Sequence, residues 1–218
     1  MKKWAFVSDF DGTISKKDFY WVVIEKYYPE GKELFKTWKA GDIKDIDFLS
    51  HIFTHIEQPE EQIIEDIKNI PIDESAPIFL KKIQEKGAEV YILSAGTDYY
   101  IHHILNQYEI NNVTVLSNNG YFENKNIHLN MNPEHRHYSN RYGIDKAKVI
   151  QELKGKYETV HFAGDSEPDS HPAVYADLTF AKDSLQDLLN ERNIPYIPVD
   201  TFKDIQKYLE SKGWMAHD

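Results

Sequence analysis

From Ser75 onward the chain alternates between helical and extended patterning, and this alternation constrains its fold more than any other feature. A helix starting near Ser75, with Pro77 in its first turn, ends at Gly87. Glu89-Val90-Tyr91-Ile92-Leu93-Ser94 then reads as a strand, and a helix with Ile101, Leu105 and Tyr108 on one face follows. Val113-Thr114-Val115-Leu116 is the next strand. Residues 146–154 read as a helix closing at Gly155, and Thr159-Val160-His161-Phe162-Ala163 and residues 177–181 read as strands. Helices at 184–192 and 201–212 flank a Pro-bounded extended piece at 195–199. The apolar run Trp4-Ala5-Phe6-Val7 adds a buried strand at the start. Strands that alternate with helices form a parallel sheet covered on both faces, and such sheets bind ligands at the carboxyl ends of their strands. The expected fold class is α/β.

Between the first strand and the alternating part lie about sixty residues of purely helical pattern. Phe19, Val23 and Tyr27 recur at i+4 spacing, and Leu34 and Trp38 continue the pattern until Gly41 stops it. Leu49, Ile52, Phe53 and Ile56 form a third stripe. Pro59 opens a fourth helix, with Glu60 and Glu61 in its first turn and Ile63, Ile64, Ile67 and Ile70 behind. The expected organisation is a core of residues 1–15 and 73–218 with a small four-helix-bundle-like insert at 16–72. Residues 118–143 read as irregular, with a hairpin around Asn119-Gly120.

Composition excludes several functions. The chain has no cysteine, so disulfides, thiolate metal sites and cysteine nucleophiles are ruled out. A net charge of −11 argues against nucleic acid and anionic lipid as partners. No apolar stretch approaches the roughly 18 residues of a membrane span. Met1-Lys2-Lys3 reaches Asp9 before a signal-like apolar region can form, which predicts a cytoplasmic protein. An acidic protein that handles an anion needs local positive charge, from a metal ion or a placed lysine.

The strand ends carry the candidate chemistry. Asp9-Phe10-Asp11-Gly12-Thr13 directly follows the first strand, and carboxylates two residues apart point to the same side. The pair suits a nucleophile and a proton shuttle sharing one small anionic substrate. Ser94 with Ala95-Gly96-Thr97 ends the second strand, where a hydroxyl and free N–H groups at a helix start hold phosphate oxygens; helix capping is the simpler role for Ser94. Lys146 opens a helix, a place where most lysines are merely exposed. Gly164-Asp165-Ser166-Glu167-Pro168-Asp169 follows a later strand, where Asp165 suits a turn and Asp169 a first helical turn. Singly these bland roles suffice. Their joint occurrence in chain order at sheet edges favours a site.

This ordered set resembles the four motifs of the haloacid-dehalogenase-like (HAD-like) hydrolase superfamily, over the whole chain. Ala173 and Ala176, followed by Asp177, are similar to the helix and strand after the fourth motif, and the helical insert resembles the C1-type cap of the phosphoserine-phosphatase-like branch. Within that branch, Asp9-Phe10-Asp11-Gly12-Thr13-Ile14, Leu93-Ser94-Ala95-Gly96 with its following aromatic pair, and Gly164-Asp165-Ser166 are most similar to the methionine-salvage phosphatases of a methylthio-ketopentenyl phosphate. The 118–143 segment departs from that pattern. The resemblance implies a Rossmannoid core and phosphomonoester hydrolysis through an aspartyl phosphate. Asp9 is the implied nucleophile, Asp11 the acid and base, and Lys146 the fixed electrostatic partner. Ser94, Ala95 and Gly96 are the implied phosphate cradle. Mg²⁺ is the implied cofactor, on the hard oxygens of Asp9, the Asp11 carbonyl and Asp165, with Asp169 supporting the site.

Asp18 either faces the substrate or caps the helix that starts at Phe19. Phe19, Tyr20 and Trp21 cannot all face the bundle interior, so an aromatic wall suited to a thioether or other apolar leaving group is expected. The expected partner is a small-molecule phosphomonoester, with phosphoserine, phosphocholine, pyridoxal phosphate and sugar phosphates as alternatives. The expected assembly is a monomer or homodimer. Rival readings are a zinc site at His128, His135 and His137, a receiver-like phosphoacceptor domain, and a phosphomutase. A receiver would carry its phosphorylated Asp on a middle strand and would have no helical insert.

Overall fold

A computed structural model describes residues 4–215; residues 1–3 and 216–218, the outermost parts of the expected core segments, lie outside the described residues. Its strands are β1 (Trp4–Ser8), β2 (Ala88–Thr97), β3 (Val113–Glu123), β4 (Asn126–Asn130), the short β5 (Tyr138–Ser139) and β6 (Gly143–Ile144), β7 (Thr159–Gly164), β8 (Leu178–Ala181) and β9 (Ile197–Pro198). The main sheet has seven strands in the order β4-β3-β2-β1-β7-β8-β9. All its pairings are parallel except the β3–β4 hairpin.

The central strand shows why its sequence is an unbroken apolar run rather than an alternating one. Trp4 and Phe6 face one core cluster, whereas Ala5 and Val7 face another. On the first face α5 (Ser75–Glu85), α6 (Asp98–Gln107) and α9 (Phe202–Ser211) supply Phe79, Ile101 and Phe202. On the second, α7 (Lys146–Lys156) supplies Val149, Ile150 and Leu153. Phe6, Phe79 and Phe202 pack ring on ring at 5.0–6.4 Å, and each such buried side chain contributes about 1.5–3 kcal/mol. The chain is therefore α/β, with a mostly parallel sheet covered on both faces. α8 (Asp183–Glu191) follows β8.

Residues 16–72 hold α1 (Phe19–Lys26), α2 (Gly31–Lys39), α3 (Asp45–Phe53) and α4 (Glu60–Lys68). They leave and rejoin the sheet at one place. Ser15 bridges Ile72, Lys16 N–H donates to the Pro71 carbonyl at 2.8 Å, and Asp73 N–H donates to the Ile14 carbonyl at 2.9 Å. Phe19, Val23, Phe48, Ile52, Phe53, Ile63 and Ile67 bury the apolar stripes against one another.

Two expectations are corrected. The hairpin in 118–143 does not turn at Asn119-Gly120, which lies inside β3; it turns at Asn124-Lys125, where both φ angles are positive (48° and 65°). Gly120 instead serves close packing: a Cβ there would lie 2.1 Å from the Thr97 hydroxyl. The helix after the last Asp motif is replaced by two short 3₁₀ turns, Glu167–Ser170 and Pro172–Val174, because Pro168 and Pro172 each restart the backbone. Among the described residues no helix is long and apolar enough to cross a membrane.

Candidate active site

The register of the sheet assembles the site. Val7 lies opposite Tyr91 and Phe162, and Ser8 opposite Ile92 and Ala163, so Asp9 emerges between the carboxyl ends of β2 and β7. Asp9 N–H extends the ladder to the Ala163 carbonyl at 2.9 Å. The chain then turns tightly, with Ile14 and Ser15 N–H groups both on the Phe10 carbonyl at 2.9 Å. Gly12 takes φ +81° in this turn, and a Cβ on it would stand 2.3 Å from Oδ2 of Asp165. The Thr13 hydroxyl lies 3.1 Å from both Oδ2 of Asp9 and Oδ1 of Asp165.

Lys146, the first residue of α7, is buried rather than exposed. Its Nζ donates to Oδ1 of Asp9 at 2.5 Å and to Oδ1 of Asp169 at 2.7 Å. Asp169 is fully buried, and its Oδ2 accepts from Asp165 N–H at 3.0 Å and Ser166 N–H at 3.2 Å. It thereby clamps both the lysine and the loop that presents Asp165. Ser94 Oγ accepts from Gly96 N–H at 3.0 Å and lies 3.4 Å from Oδ2 of Asp11. Thr97, not Ser94, caps α6.

Crowding of carboxylates dominates the electrostatics. Burial pushes the Asp9 carboxyl up to about 6; the Asp169 charge adds to this and Lys146 opposes it. Burial pushes Asp11 up to about 8, with the charge of Asp18 next in effect, which favours its protonated form. Asp165 rises well above the usual carboxylate range through burial and the charges of Asp9 and Asp169. Burial works against charge on Lys146, yet Asp169 and Asp9 hold its ammonium above the ordinary value.

Asp9, Asp165 and Asp169 each bring one carboxylate oxygen within 4.8 Å of the others, the group of three or more metal-capable side chains found among the described residues. All the donors are hard oxygens, and their mutual repulsion is what a small divalent cation relieves, so the set fits Mg²⁺. The Asp11 side chain turns away from this group toward Tyr100, 2.5 Å from its hydroxyl. The three histidines do not converge into such a group. His128 stacks on Tyr121 and His137 pairs with Glu152 at 2.7 Å.

A cavity of 320 Å³ opens above these groups. Asp9, Asp11, Ser94, Ala95, Gly96, Lys146 and Asp165 line its floor, and Asp18, Tyr20, Trp38 and Leu49 line the side formed by α1 to α3. Asp18 makes no side-chain capping bond to α1, so the capping role is not seen, and its residue lines the cavity. Of the three neighbouring aromatics, Tyr20 lines the cavity, Phe19 packs on Phe53, and Trp21 packs on Phe35.

With this geometry in place, comparison with known proteins is decisive at the level of family. The profile of the haloacid dehalogenase-like hydrolases matches residues 6–171. The chain belongs to the HAD-like hydrolase family. Among relatives of this HAD-like chain, a protein of Bacillus thuringiensis subsp. konkukian (strain 97-27) named 2-hydroxy-3-keto-5-methylthiopentenyl-1-phosphate phosphatase is 30% identical over 93% of the chain and 94% of its own length. A Bacillus cereus (strain G9842) protein of the same name is 29% identical over the same shares. A solved phospho-aspartyl intermediate analogue of phosphoserine phosphatase superposes with a TM-score of 0.69 at 17% identity, covering 95% of this chain and 99% of that one, and so shares the fold. Family and relatives together make the chain a HAD-type phosphatase.

Several lining or supporting residues carried no sequence signal. Asn118 is buried and donates to the Ala95 and Tyr142 carbonyls at 2.9 Å, tying the Ser94 turn to the 118–143 segment. Lys182 donates to the Gly12 carbonyl at 3.2 Å. Arg141 reaches across to Asp45 at 2.8 Å and so joins α3 to the core. Asn118 and Arg141 lie in the stretch that read as irregular, and each acts through a partner distant in the chain.

Proposed function

We propose that the protein is a Mg²⁺-dependent phosphomonoester hydrolase that works through an aspartyl phosphate on Asp9. The observation that carries this is the seat of Asp9: a buried carboxylate at the cavity floor, held by Lys146 at 2.5 Å and Thr13 at 3.1 Å, with the carboxyl of Asp11 two residues on and lining the same cavity. An oxygen of Asp9 attacks phosphorus and the bond from phosphorus to the ester oxygen breaks. Asp11 delivers its proton to that departing oxygen. Water then attacks the phosphoryl group, Asp11 takes the water's proton, and the bond to Asp9 breaks to release phosphate. General acid–base assistance of this kind is worth about 10²–10⁴-fold. Ser94 and the Ala95 and Gly96 turn bind phosphoryl oxygens, and Lys146 offsets the charge on them. Asp9, Asp165 and the Asp11 carbonyl would hold Mg²⁺, with Asp169 supporting from behind. When bound, the ion supplies positive charge beside the phosphoryl oxygens and favours ionised Asp9.

Residues 16–72 serve as a cap over a core of 1–15 and 73–218, and select the alcohol part of the ester. Tyr20, Trp38 and Leu49 give that side an apolar wall. Together with the names of the Bacillus relatives this supports a cytoplasmic metabolite, 2-hydroxy-3-keto-5-methylthiopentenyl-1-phosphate, as substrate. Phosphate release from that ester, phosphoserine, phosphocholine, pyridoxal phosphate and sugar phosphates tests the reading. The methylthio ester should be preferred, and Asp9→Asn should abolish turnover while keeping the fold. Strong preference for phosphoserine would defeat the substrate assignment, and near-full activity of Asp9→Asn would defeat the mechanism.

A further inference from the structure

Tyr100 is buried, and its hydroxyl donates to Oδ2 of Asp11 at 2.5 Å. α6 sets this up: Thr97 caps the helix, and its first turn brings Tyr100 to the Asp11 loop. The ring is held by Phe10, Phe19 and Phe53, with centroids 6.0, 5.0 and 6.4 Å away, so the hydroxyl has little freedom. The backbone makes room for the bond. A Cβ on Gly96 would stand 1.7 Å from the Tyr100 hydroxyl and 2.8 Å from Oδ2 of Asp11. The other contacts of this carboxyl are long: Ser94 Oγ lies 3.4 Å from Oδ2, and Phe19 N–H lies 3.4 Å from Oδ1.

We propose that Tyr100 is a positioning residue that fixes the Asp11 carboxyl for proton transfer to the leaving oxygen. The inference rests on the role given to Asp11 above. A carboxyl on a two-bond stem rotates freely unless something pins it, and proton transfer needs the acid within hydrogen-bond reach of the departing oxygen. A hydrogen bond from a packed phenol supplies that restraint, and a misplacement of about 1 Å is enough to cost on the order of 10²-fold. Tyr100 acts through Asp11, so its worth depends on how much the leaving group needs a proton.

Tyr100→Phe keeps the packed ring and deletes only the hydroxyl. The readout is kcat/KM, which reports on expulsion of the leaving group, for two esters: the best alkyl phosphate found for the wild type, and p-nitrophenyl phosphate, whose phenolate departs without a proton. We expect Tyr100→Phe to lower kcat/KM about 10–100-fold on the alkyl ester and less than about threefold on the nitrophenyl ester. In an Asp11→Asn background the same substitution should change the alkyl rate no further, and the melting temperature should stay near that of the wild type. Equal losses on both esters, no loss on either, or losses that multiply with Asp11→Asn overturn the proposal. A wild type inactive on every phosphomonoester overturns the functional reading beneath it. A wild type that is active while the two esters respond alike leaves that reading standing and removes Tyr100 alone.

Discussion

Nζ of Lys146 lies 2.5 Å from Oδ1 of Asp9, in a place almost closed to solvent. Its second carboxylate, Asp169, is 2.7 Å away and equally buried. One ammonium thus compensates two carboxylates that are almost closed to solvent. Lys146→Met should destabilise the protein by about 3–5 kcal/mol, since it leaves both acids without their cation. It should also lower phosphate release at least ~10²-fold. Denaturant midpoints and steady-state rates check both, and a variant with wild-type stability would show that the acids find another partner.

Three carboxylates within 4.8 Å predict a marked response to metal. Mg²⁺ at a hundred times its dissociation constant should stabilise the fold by about 2.7 kcal/mol, and a chelator should reverse this. Asp165→Asn should remove the Mg²⁺-dependent shift in melting temperature and raise the melting temperature of metal-free protein by relieving repulsion. Thermal scans with and without the ion decide it; a shift that survives Asp165→Asn would place the ion elsewhere.

Gly12 combines a left-handed backbone with a missing side chain that Asp165 needs absent, at 2.3 Å. Gly12→Ala must therefore strain the turn and push Asp165 aside. We expect a stability loss of about 1–3 kcal/mol together with a weaker Mg²⁺-dependent melting shift. An alanine variant with unchanged melting and unchanged metal response would contradict this account of the turn.

His161 gives the fold an acid-sensitive element away from the site. Its ring lies 5.2 Å from Trp4 and 4.7 Å from Trp214, its Nδ1 has no partner among the described residues, and burial pushes its pKa down to about 4. Between pH 6.5 and about 4 the unfolded chain binds a proton that the folded chain refuses, so stability rises with pH across that window. The full contribution is present above pH 6.5, and about 3 kcal/mol is lost as pH falls to about 4. His161→Phe should flatten this part of the stability–pH curve relative to wild type. Parallel curves for the two proteins would assign the acid response to the carboxylates.

The legible parts of the molecule were those written in short stretches. β1 and β7 bury both faces, so their apolar runs declared a parallel sheet, and the polar residue after each run fell at a carboxyl end. Ser94 and Asp165 were found by that logic, and Lys146 by its place at the start of a helix. The hairpin turn was misplaced because Asn-Gly is the strongest local turn signal, and only the approach of Thr97 explains Gly120 within a strand. Asn118 and Arg141 were invisible, and Tyr100 showed only as half of an aromatic pair, for the same reason: each matters through a partner more than twenty residues away.

The paired crossing at Ser15 and Ile72 has a consequence for how the chain is divided. All four helices of the excursion enter and leave through two adjacent backbone segments, so their insertion leaves the order of the strands unbroken. On the proposed reading, the residues that react and the residues that admit the ester therefore lie in separate stretches of one chain and meet only at the cavity.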